Sequence, residues 1–374
     1  MKIAFVTDTH FGYRRFEADS YKQGKEAILE AAKQADVLIL GGDNFDSPLP
    51  KMETLAEVTG ILIEANGIFA SRGIKNAIFA IHGNHERRAK GYVHPTELLA
   101  KGGFLELFHN KTIVYEKGGE KIAISGMGNV PDDLAAEALK KLECSPVPGA
   151  FNVFVVHQSF QELGIGKNDE WISHDDLPPG YDLYLCGHAH KPLLSGKVLN
   201  PGSTVVTQLR EDEASKRGWL LYDTTEKKPQ FMPINSRPFF FSVLDFNGAT
   251  PEEIRERVAK EAKRLQAKEN EPIVRIVVKG TIAKGFHSSD IGIGEFDRNT
   301  FIDNSLNSEN LRHRIEQIKL AREKKLSAKE QGMAILRKKL DGTDYNLGDP
   351  EKVFESLVEG TFLQQIIEEI EKEG

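Results

Sequence analysis

The chain has 374 residues, of which 40% are hydrophobic and 28% are charged, with a formal net charge of -7. This length predicts two or three domains rather than one. No apolar run approaches the roughly 20 residues of a membrane helix, and the apolar run at the N-terminus is too short for a signal peptide. The two cysteines, Cys144 and Cys186, cannot form a disulfide framework and indicate a reducing compartment. We therefore expect a soluble cytoplasmic protein.

The first 235 residues alternate short apolar runs with helical patterns, which predicts a layered α/β domain. The predicted strands are Lys2–Thr7, Val37–Leu40, Ala77–His82, Ile122–Ser125, Phe151–His157, Leu183–Cys186 and Trp219–Tyr222. The predicted helices are Tyr21–Gln34, Met52–Ala65, Pro95–Ala100 and Asp133–Leu142. Most of the strands are continuous apolar runs, as expected for strands that are covered on both faces.

The remaining chain divides into three predicted segments. Residues 236–285 form a small strand–helix–strand domain, in which Thr250 caps the helix and Ile273–Lys279 is the last strand. Residues 286–308, rich in Ser, Asp and Gly, form a linker. Residues 309–374 form two helical stretches, the first basic and the second acidic. The second is amphipathic, so it either docks on its own domain or binds the groove of a partner.

Five short polar segments follow predicted strands: DTH, GGDNFD, GNHE, VVHQ and GHAH. Because ligands bind beyond the carboxyl ends of strands in open α/β sheets, we expect these segments to converge. Their metal-ligand side chains are Asp8, His10, Asp43, Asn84, His157, His188 and His190. Carboxylate, imidazole and amide groups suit manganese, iron or zinc, and seven exceed the needs of one tetrahedral ion. The set predicts two metals and a hydrolytic water.

These motifs resemble those of the calcineurin-like metallophosphoesterases. The resemblance implies an α/β fold of four layers, a β-sandwich of two mixed sheets flanked by helices. The metal ligands of the family correspond here to a bridging Asp43, to Asp8, His10 and His190 on one ion, and to Asn84, His157 and His188 on the other. His85 would face the scissile phosphate and protonate the leaving oxygen, while Asp46 would orient its imidazole.

The whole chain is similar in organisation to the DNA double-strand-break repair nucleases, the meiotic recombination eleven family and its prokaryotic SbcD relatives. The runs FGYRRF, GDNFDSPLP and GHAHKP carry this likeness, whereas Glu86 and Ser159 stand where the family more often has Asp and Gly. It implies a nucleoid-associated exonuclease and endonuclease with two Mn²⁺ per subunit. It also implies a small α+β domain that caps the DNA, and a helical C-terminal tail that binds a coiled-coil SMC-like ATPase.

Basic residues beside the metal loops predict contacts with DNA phosphates rather than with bases. They are Arg14, Arg15, Arg87, Arg88 and Lys90. In the family, helices of this region pair into a homodimer. The apolar faces of Met52–Ala65 and Pro95–Ala100 suit that role, although packing inside the monomer explains them nearly as well.

Two other functions fit part of the sequence. One is a phosphodiesterase of the same superfamily that acts on nucleotides or other small molecules. The other is a scaffold that bridges DNA ends and carries a vestigial metal site. The complete set of seven ligands with His85 counts against the scaffold, because a disused site is expected to lose some of them.

Overall fold

The computed structural model describes residues 1–89, 91–161, 171–194, 196–292 and 296–308. The helices are α1 (Glu17–Gln34), α2 (Met52–Ser71), α3 (Pro95–Lys101), α4 (Asp132–Lys140) and α5 (Pro251–Gln266). The strands are β1 (Lys2–Val6), β2 (Val37–Gly41), β3 (Ile78–Ile81), β4 (Glu106–Leu107), β5 (Lys111–Lys117), β6 (Glu120–Met127), β7 (Phe151–Val156), β8 (Leu183–Cys186), β9 (Val198–Leu199), β10 (Gly218–Asp223), β11 (Lys228–Pro233), β12 (Phe239–Ala249), β13 (Ile273–Ile282) and β14 (Thr300–Ser308).

The chain divides into two compact units. The first comprises Met1–Ser242, Lys260–Ile276 and Phe296–Ile302. The second comprises Val243–Ala259, Val277–Glu295 and Asp303–Gly374. The tail predicted at 309–374 and the predicted DNA contact Lys90 lie outside the described residues. None of the helices that the structure describes is long and apolar enough to cross a membrane.

Two mixed sheets make up most of the first unit. One has the strand order β11-β10-β1-β2-β3-β4, in which β1 to β4 are parallel and β10 is antiparallel to both of its neighbours, β1 and β11. The other has the order β5-β6-β7-β8-β9, in which only β5 is antiparallel to its neighbour. The parallel strands of each sheet therefore end at one edge, where their following loops can meet.

The two sheets pack face to face. Because successive side chains of a strand point to opposite faces of its sheet, each strand contributes one set of side chains to the layer between the sheets and the other set to the outer face. In β1, Ile3 and Phe5 belong to the core between the sheets, together with Ile124 of β6 and Val155 of β7. On the other face of β1, Ala4 and Val6 pack beneath α1, α2 and α3. Helix α4 covers the outer face of the second sheet, where it packs near Phe154. These four layers confirm the predicted β-sandwich flanked by helices.

Several boundaries differ from the prediction. Helix α2 continues past Ala65 to Ser71, since Phe69 is buried and anchors its last turns. Part of the stretch 286–308 forms β14, within a three-stranded sheet ordered β12-β13-β14. Strand β5, which the sequence pattern missed, joins β6 through a two-residue turn at Gly118 and Gly119, both with positive φ. A Gly-Gly pair adopts such a turn without strain.

The apolar faces of α2 and α3 serve mainly the monomer core. Val58, Ile61, Leu62 and Leu99 are buried in the cluster between these helices and the first sheet, and Leu55 packs against it. Leu98, in contrast, is 50% exposed. Packing inside the monomer thus explains most of the residues that favoured a homodimer.

Replacing either of two helix glycines with alanine is expected to change the free energy of unfolding, in opposite directions at the two positions. Gly24 in α1 faces Phe11, and an added Cβ would lie 2.6 Å from that ring. Gly60 in α2 is exposed and has open space around the Cβ position. We expect Gly24→Ala to lower the free energy of unfolding by about 1–3 kcal/mol through overpacking. Gly60→Ala should raise it by up to about 1 kcal/mol, because alanine favours helix. Denaturant unfolding of both variants checks this; two changes of the same sign would contradict it.

Candidate metal centre

The predicted ligands all lie in loops directly after strands of the two sheets. Asp8 and His10 follow β1, Asp43 follows β2, Asn84 and His85 follow β3, His157 follows β7, and His188 and His190 follow β8. Four of them, Asp8, His10, Asp43 and His188, have positive φ values between 44° and 78°. Such left-handed conformations are uncommon for residues other than glycine and cost energy, although Asp and His adopt them more readily than most. They turn the backbone sharply just beyond each strand.

Asp8, His10 and His190 form a first group of ligand atoms. The Nε2 atoms of His10 and His190 are 3.2 Å apart, and Asp8 Oδ1 lies 3.9 Å from the former and 3.6 Å from the latter. All three side chains are buried, and Asp8 Oδ1 has no hydrogen-bond partner within the described part of the chain. A buried carboxylate oxygen without a donor is costly unless a cation binds it. This group therefore fits a divalent metal ion.

Asn84, His157 and His188 form a second group. Asn84 Oδ1 lies 3.3 Å from His157 Nε2 and 2.8 Å from His188 Nδ1. Burial, with the nearby His157, lowers the pKa of His188 to about 4, so this imidazole is neutral at pH 7. A neutral imidazole can act as a metal ligand. One oxygen and two nitrogens thus point at a common position.

Asp43 lies between the two groups. Its Oδ1 accepts a hydrogen bond from the backbone N–H of His85 at 2.9 Å. Its Oδ2 lies 3.3 Å from His157 Nε2 and 4.0 Å from His10 Nε2, so one oxygen faces a histidine of each group. Burial alone would raise the pKa of Asp43, but the neighbouring His157 and His10 lower it well below its usual range. An ionised carboxylate in this position suits a bridge between two cations.

His85 lies at the rim of the centre, with 40% of its side chain exposed. Its Nδ1 lies 3.3 Å from Asp46 Oδ1 and 3.2 Å from the Asp46 carbonyl oxygen. The hydrogen bond with Asp46 raises the pKa of His85 to about 9, although partial burial opposes this. Asp46 Oδ1 also lies 3.3 Å from Nδ1 of His10. The same carboxylate thus contacts a predicted ligand and the predicted acid.

Two buried glutamates support these loops and were missed by the sequence analysis. Glu86 accepts hydrogen bonds from the N–H groups of Gly83 and Phe45 and from Thr96, and it thereby joins the loops after β2 and β3 to α3. Glu213 contacts His190 Nδ1 at 2.6 Å. Burial alone would raise the pKa of Glu213, but the bond with His190 and the charge of Arg217 lower it to about 2. Glu86 is visible only as the last letter of GNHE, and Glu213 only as one acid among three.

The described arginines of the predicted DNA surface differ in their contacts. Arg87 donates to Asn129 Oδ1 at 2.9 Å, and Arg88 donates to the carbonyl oxygen of Val93 at 3.0 Å. Arg15 lies over the ring of Phe301, 5.3 Å from its centre. Arg14 is exposed. Arg15 and Arg87 are exposed as well, whereas Arg88 is partly buried, so the structure leaves Arg88 the least accessible of the four to a ligand.

A cavity of about 200 Å³ opens beside the metal centre and is lined by Asp43, Asn84, His85, His188 and His190. Lys191 and Arg210 also line it and were not among the predicted site residues. Arg210 forms an ion pair with Asp212 at 3.0 Å. The cavity therefore presents four of the seven predicted ligands, the predicted acid and additional positive charge on one surface.

Residues 1–194 match the family model described as calcineurin-like phosphoesterase. This match covers just over half of the chain and includes every predicted metal ligand. The chain belongs to the calcineurin-like phosphoesterase family.

Relatives within this class carry names from DNA repair. Double-strand break repair protein mre-11 of Caenorhabditis elegans is 28% identical over 295 residues, covering 63% of this chain and 40% of that protein. DNA double-strand break repair protein Mre11 of Methanopyrus kandleri is 28% identical over 217 residues, covering 53% and 46%. Double-strand break repair protein MRE11 of Homo sapiens is 24% identical over 272 residues, covering 58% and 38%. The chain spans less than half the length of each of these relatives.

The charges at the centre predict how the metal-free protein responds to pH. The pKa of His85 is raised to about 9 by Asp46. Burial alone would lower the pKa of His157, but Asp43 raises it to about 9. The folded protein therefore holds protons that the unfolded chain releases near pH 6.5, and its stability should fall as pH rises from about 6.5 to 9. Thermal unfolding with a chelator across this range measures the fall.

The variant Asp46→Asn is the control for this prediction. It removes the carboxylate that faces His85, so the loss of stability with rising pH should become smaller. A midpoint that rises or stays level in the original protein would contradict the assignment, and so would an unchanged slope in the variant.

Proposed function

We propose that the chain is a manganese-dependent DNA nuclease, an exonuclease at double-strand ends and an endonuclease, that acts in double-strand-break repair. One observation carries the proposal: members of both groups of ligand atoms, His190 of the first and Asn84 and His188 of the second, line one cavity together with Asp43 and the rim histidine His85. The names of the relatives support DNA as the substrate and break repair as the process. Small-molecule diesters are the alternative substrate.

We propose that the first group and the second group each hold one divalent cation, with Asp43 between them. Two such ions would supply Lewis-acid stabilisation of the phosphoryl oxygens and activate the attacking water. The donors are carboxylate, imidazole and amide, which suits manganese among the first-row metals. Asp8 Oδ1, which has no hydrogen-bond partner among the described residues, supports this assignment.

His85 would act as the acid of the reaction. Its Nδ1 is directed at Asp46, so its Nε2 carries the proton that can be donated. The raised pKa keeps that proton in place at neutral pH in the metal-free protein. Proton donation to the leaving oxygen and stabilisation of the pentavalent phosphorus both need a cationic group at this rim.

Replacing His85 tests the reaction. With Mn²⁺ and linear duplex or hairpin DNA, we expect His85→Ala to lower kcat by about 10²–10⁴-fold, the usual contribution of general acid catalysis, while Mn²⁺ still binds. His174→Ala changes a histidine that pairs with Asp175 and should leave the rate unchanged. A scaffold with a vestigial site predicts no effect of His85→Ala.

A generic bis-aryl phosphodiester separates the two substrate classes. Turnover of this compound and of DNA, both lost in His85→Ala, is the result that the nuclease proposal requires. Turnover of the diester alone would favour the small-molecule phosphodiesterase. Failure on both would contradict an active phosphoesterase site.

We propose that Arg14, Arg15, Arg87, Arg88 and Lys90 bind DNA phosphates. Of these, Arg14, Arg15 and Arg87 are exposed, and Arg14 and Arg15 follow the loop that carries His10. Each phosphate contact releases counterions, so the logarithm of the binding constant depends on the logarithm of the salt concentration with a slope of roughly one per contact. Such contacts do not discriminate between base sequences.

Charge reversal at Arg14 tests this surface. We expect Arg14→Glu to reduce the salt slope of duplex DNA binding by about 1 and to weaken binding equally for unrelated sequences. Lys140→Glu makes the same change at an exposed position of α4 and should preserve the slope. Equal slopes for all three proteins, measured by fluorescence anisotropy, would contradict a contact at Arg14.

We also propose two protein partners. The exposed apolar side chains Met52, Ile63 and Leu98 of α2 and α3 support a homodimer, since they are not needed for the monomer core. The second partner is a coiled-coil SMC-like ATPase, bound through residues 309–374, which lie outside the described residues. The amphipathic sequence of that segment supports this proposal.

A further inference from the structure

Each histidine of the two groups has one ring nitrogen that faces the other ligand atoms and one that faces away from them. The group that contacts this outer nitrogen differs between the first group and the second. His157 Nδ1 lies 2.8 Å from the carbonyl oxygen of Gly41, and His188 Nε2 lies 3.1 Å from Ser159 Oγ. In the first group these contacts are carboxylates: Asp46 lies 3.3 Å from His10 Nδ1, and Glu213 lies 2.6 Å from His190 Nδ1. The two groups therefore differ in charge twice: the first contains the carboxylate of Asp8 where the second contains the amide of Asn84, and carboxylates contact only the outer nitrogens of the first group.

Glu213 is held rigidly at the end of a short helix, Glu211–Glu213, and is fully buried. Its Oε2 accepts hydrogen bonds from the backbone N–H groups of Thr207, Gln208 and Leu209 at 2.9–3.1 Å. Its Oε1 accepts from the hydroxyl of Thr207 at 3.1 Å and faces His190. This many donors stabilise the ionised form of a buried carboxylate.

Arg217 fixes the two segments that carry Glu213 and His190. Its guanidinium donates to the backbone carbonyl oxygens of Glu213, at 2.6 Å, and of His190, at 3.1 Å. It also donates to the hydroxyl of Ser203 at 2.8 Å. The position of the carboxylate relative to the imidazole is thus set from both sides.

The contact with Glu213 selects one tautomer of His190. An ionised carboxylate can only accept hydrogen bonds, so His190 Nδ1 must carry the hydrogen. The lone pair of Nε2 then points at the other atoms of the first group, where His10 Nε2 lies 3.2 Å away. A carboxylate behind a ligand imidazole fixes its orientation and raises its basicity, which strengthens metal binding.

We propose that Glu213 is a positioning residue that makes the first group the tighter of the two divalent-cation sites. The inference rests on the proposed function for the existence of both sites. Two carboxylates stand directly behind the first group. In the second group, a carbonyl oxygen and the hydroxyl of Ser159 contact the outer nitrogens instead. Beyond that hydroxyl lies the partly exposed Asp132, 3.1 Å from Ser159 Oγ. The two ions should therefore bind in two separate steps.

The variant Glu213→Gln tests this assignment with little change of shape. The glutamine oxygen can keep the three backbone hydrogen bonds, which turns its NH₂ group toward His190. His190 Nδ1 then either accepts from that NH₂ group, which moves the ring hydrogen to Nε2, or donates to the hydroxyl of Thr207, 2.9 Å away. In both cases His190 loses the carboxylate that raises the basicity of its Nε2. Titration of the metal-free full chain with Mn²⁺ alone, by calorimetry and electron paramagnetic resonance, measures the result.

We expect the original protein to bind Mn²⁺ in two resolved steps, and Glu213→Gln to weaken the tighter step by about 10–100-fold while the other stays within about twofold. Glu211→Gln makes the same chemical change at an exposed position of the same short helix and should alter neither step. Ser159→Ala removes the partner of His188 and should weaken only the looser step.

Two equal steps in the original protein would overturn the inference, as would equal weakening of both steps in Glu213→Gln. No binding of Mn²⁺ by the original protein would overturn the proposed function as well, which separates the two failures. The tautomer of His190 in the original protein, read from ¹⁵N shifts, needs no variant. A hydrogen on Nδ1 is the expected result, and a hydrogen on Nε2 overturns the role of Glu213 even where the variants do not fold.

Discussion

Seven side chains that can bind metal ions lie close together at one edge of the two sheets, and the surrounding structure holds them in that position. Two ring nitrogens face each other at 3.2 Å, beside a buried carboxylate oxygen that lacks a donor within the described residues. The loops that hold them adopt left-handed backbone conformations at Asp8, His10, Asp43 and His188. Such strain persists only where the surroundings determine the geometry, and here the parallel strands beneath the loops do so.

The group that contacts the outer ring nitrogen of each histidine influences how well that imidazole can bind a metal ion. A carbonyl oxygen, a hydroxyl and two carboxylates contact the far nitrogens of the four histidines, so the charge that faces each ring from outside differs between the two groups. Asp46 has two such roles, because its Oδ1 lies 3.3 Å from both His10 and His85. Its charge therefore influences a proposed ligand and the proposed acid together.

Much of this arrangement can be read from the sequence, for a physical reason. Strands such as Val37–Gly41 are buried on both faces, so their apolar runs are continuous, and the polar residues that follow them are conspicuous. Strand β5 lacks this contrast because its residues are partly exposed, although the Gly-Gly turn after it was a usable signal. Glu213 could not be found, since its neighbours Glu211 and Asp212 are also acidic and only packing of the chain buries one of the three.

The predicted ligands come from both sheets, and this affects the stability of the folded chain. Asp8, His10, Asp43 and Asn84 follow strands of one sheet, whereas His157, His188 and His190 follow strands of the other. Each group draws on both sheets, so a cation bound to either would cross-link the two halves of the sandwich. The hydrophobic layer between them would then be reinforced at one edge by coordination bonds, and the free energy of unfolding would rise with the concentration of free metal. A protein that has lost its ions would open more often at this edge, which couples the supply of metal to the lifetime of the folded chain.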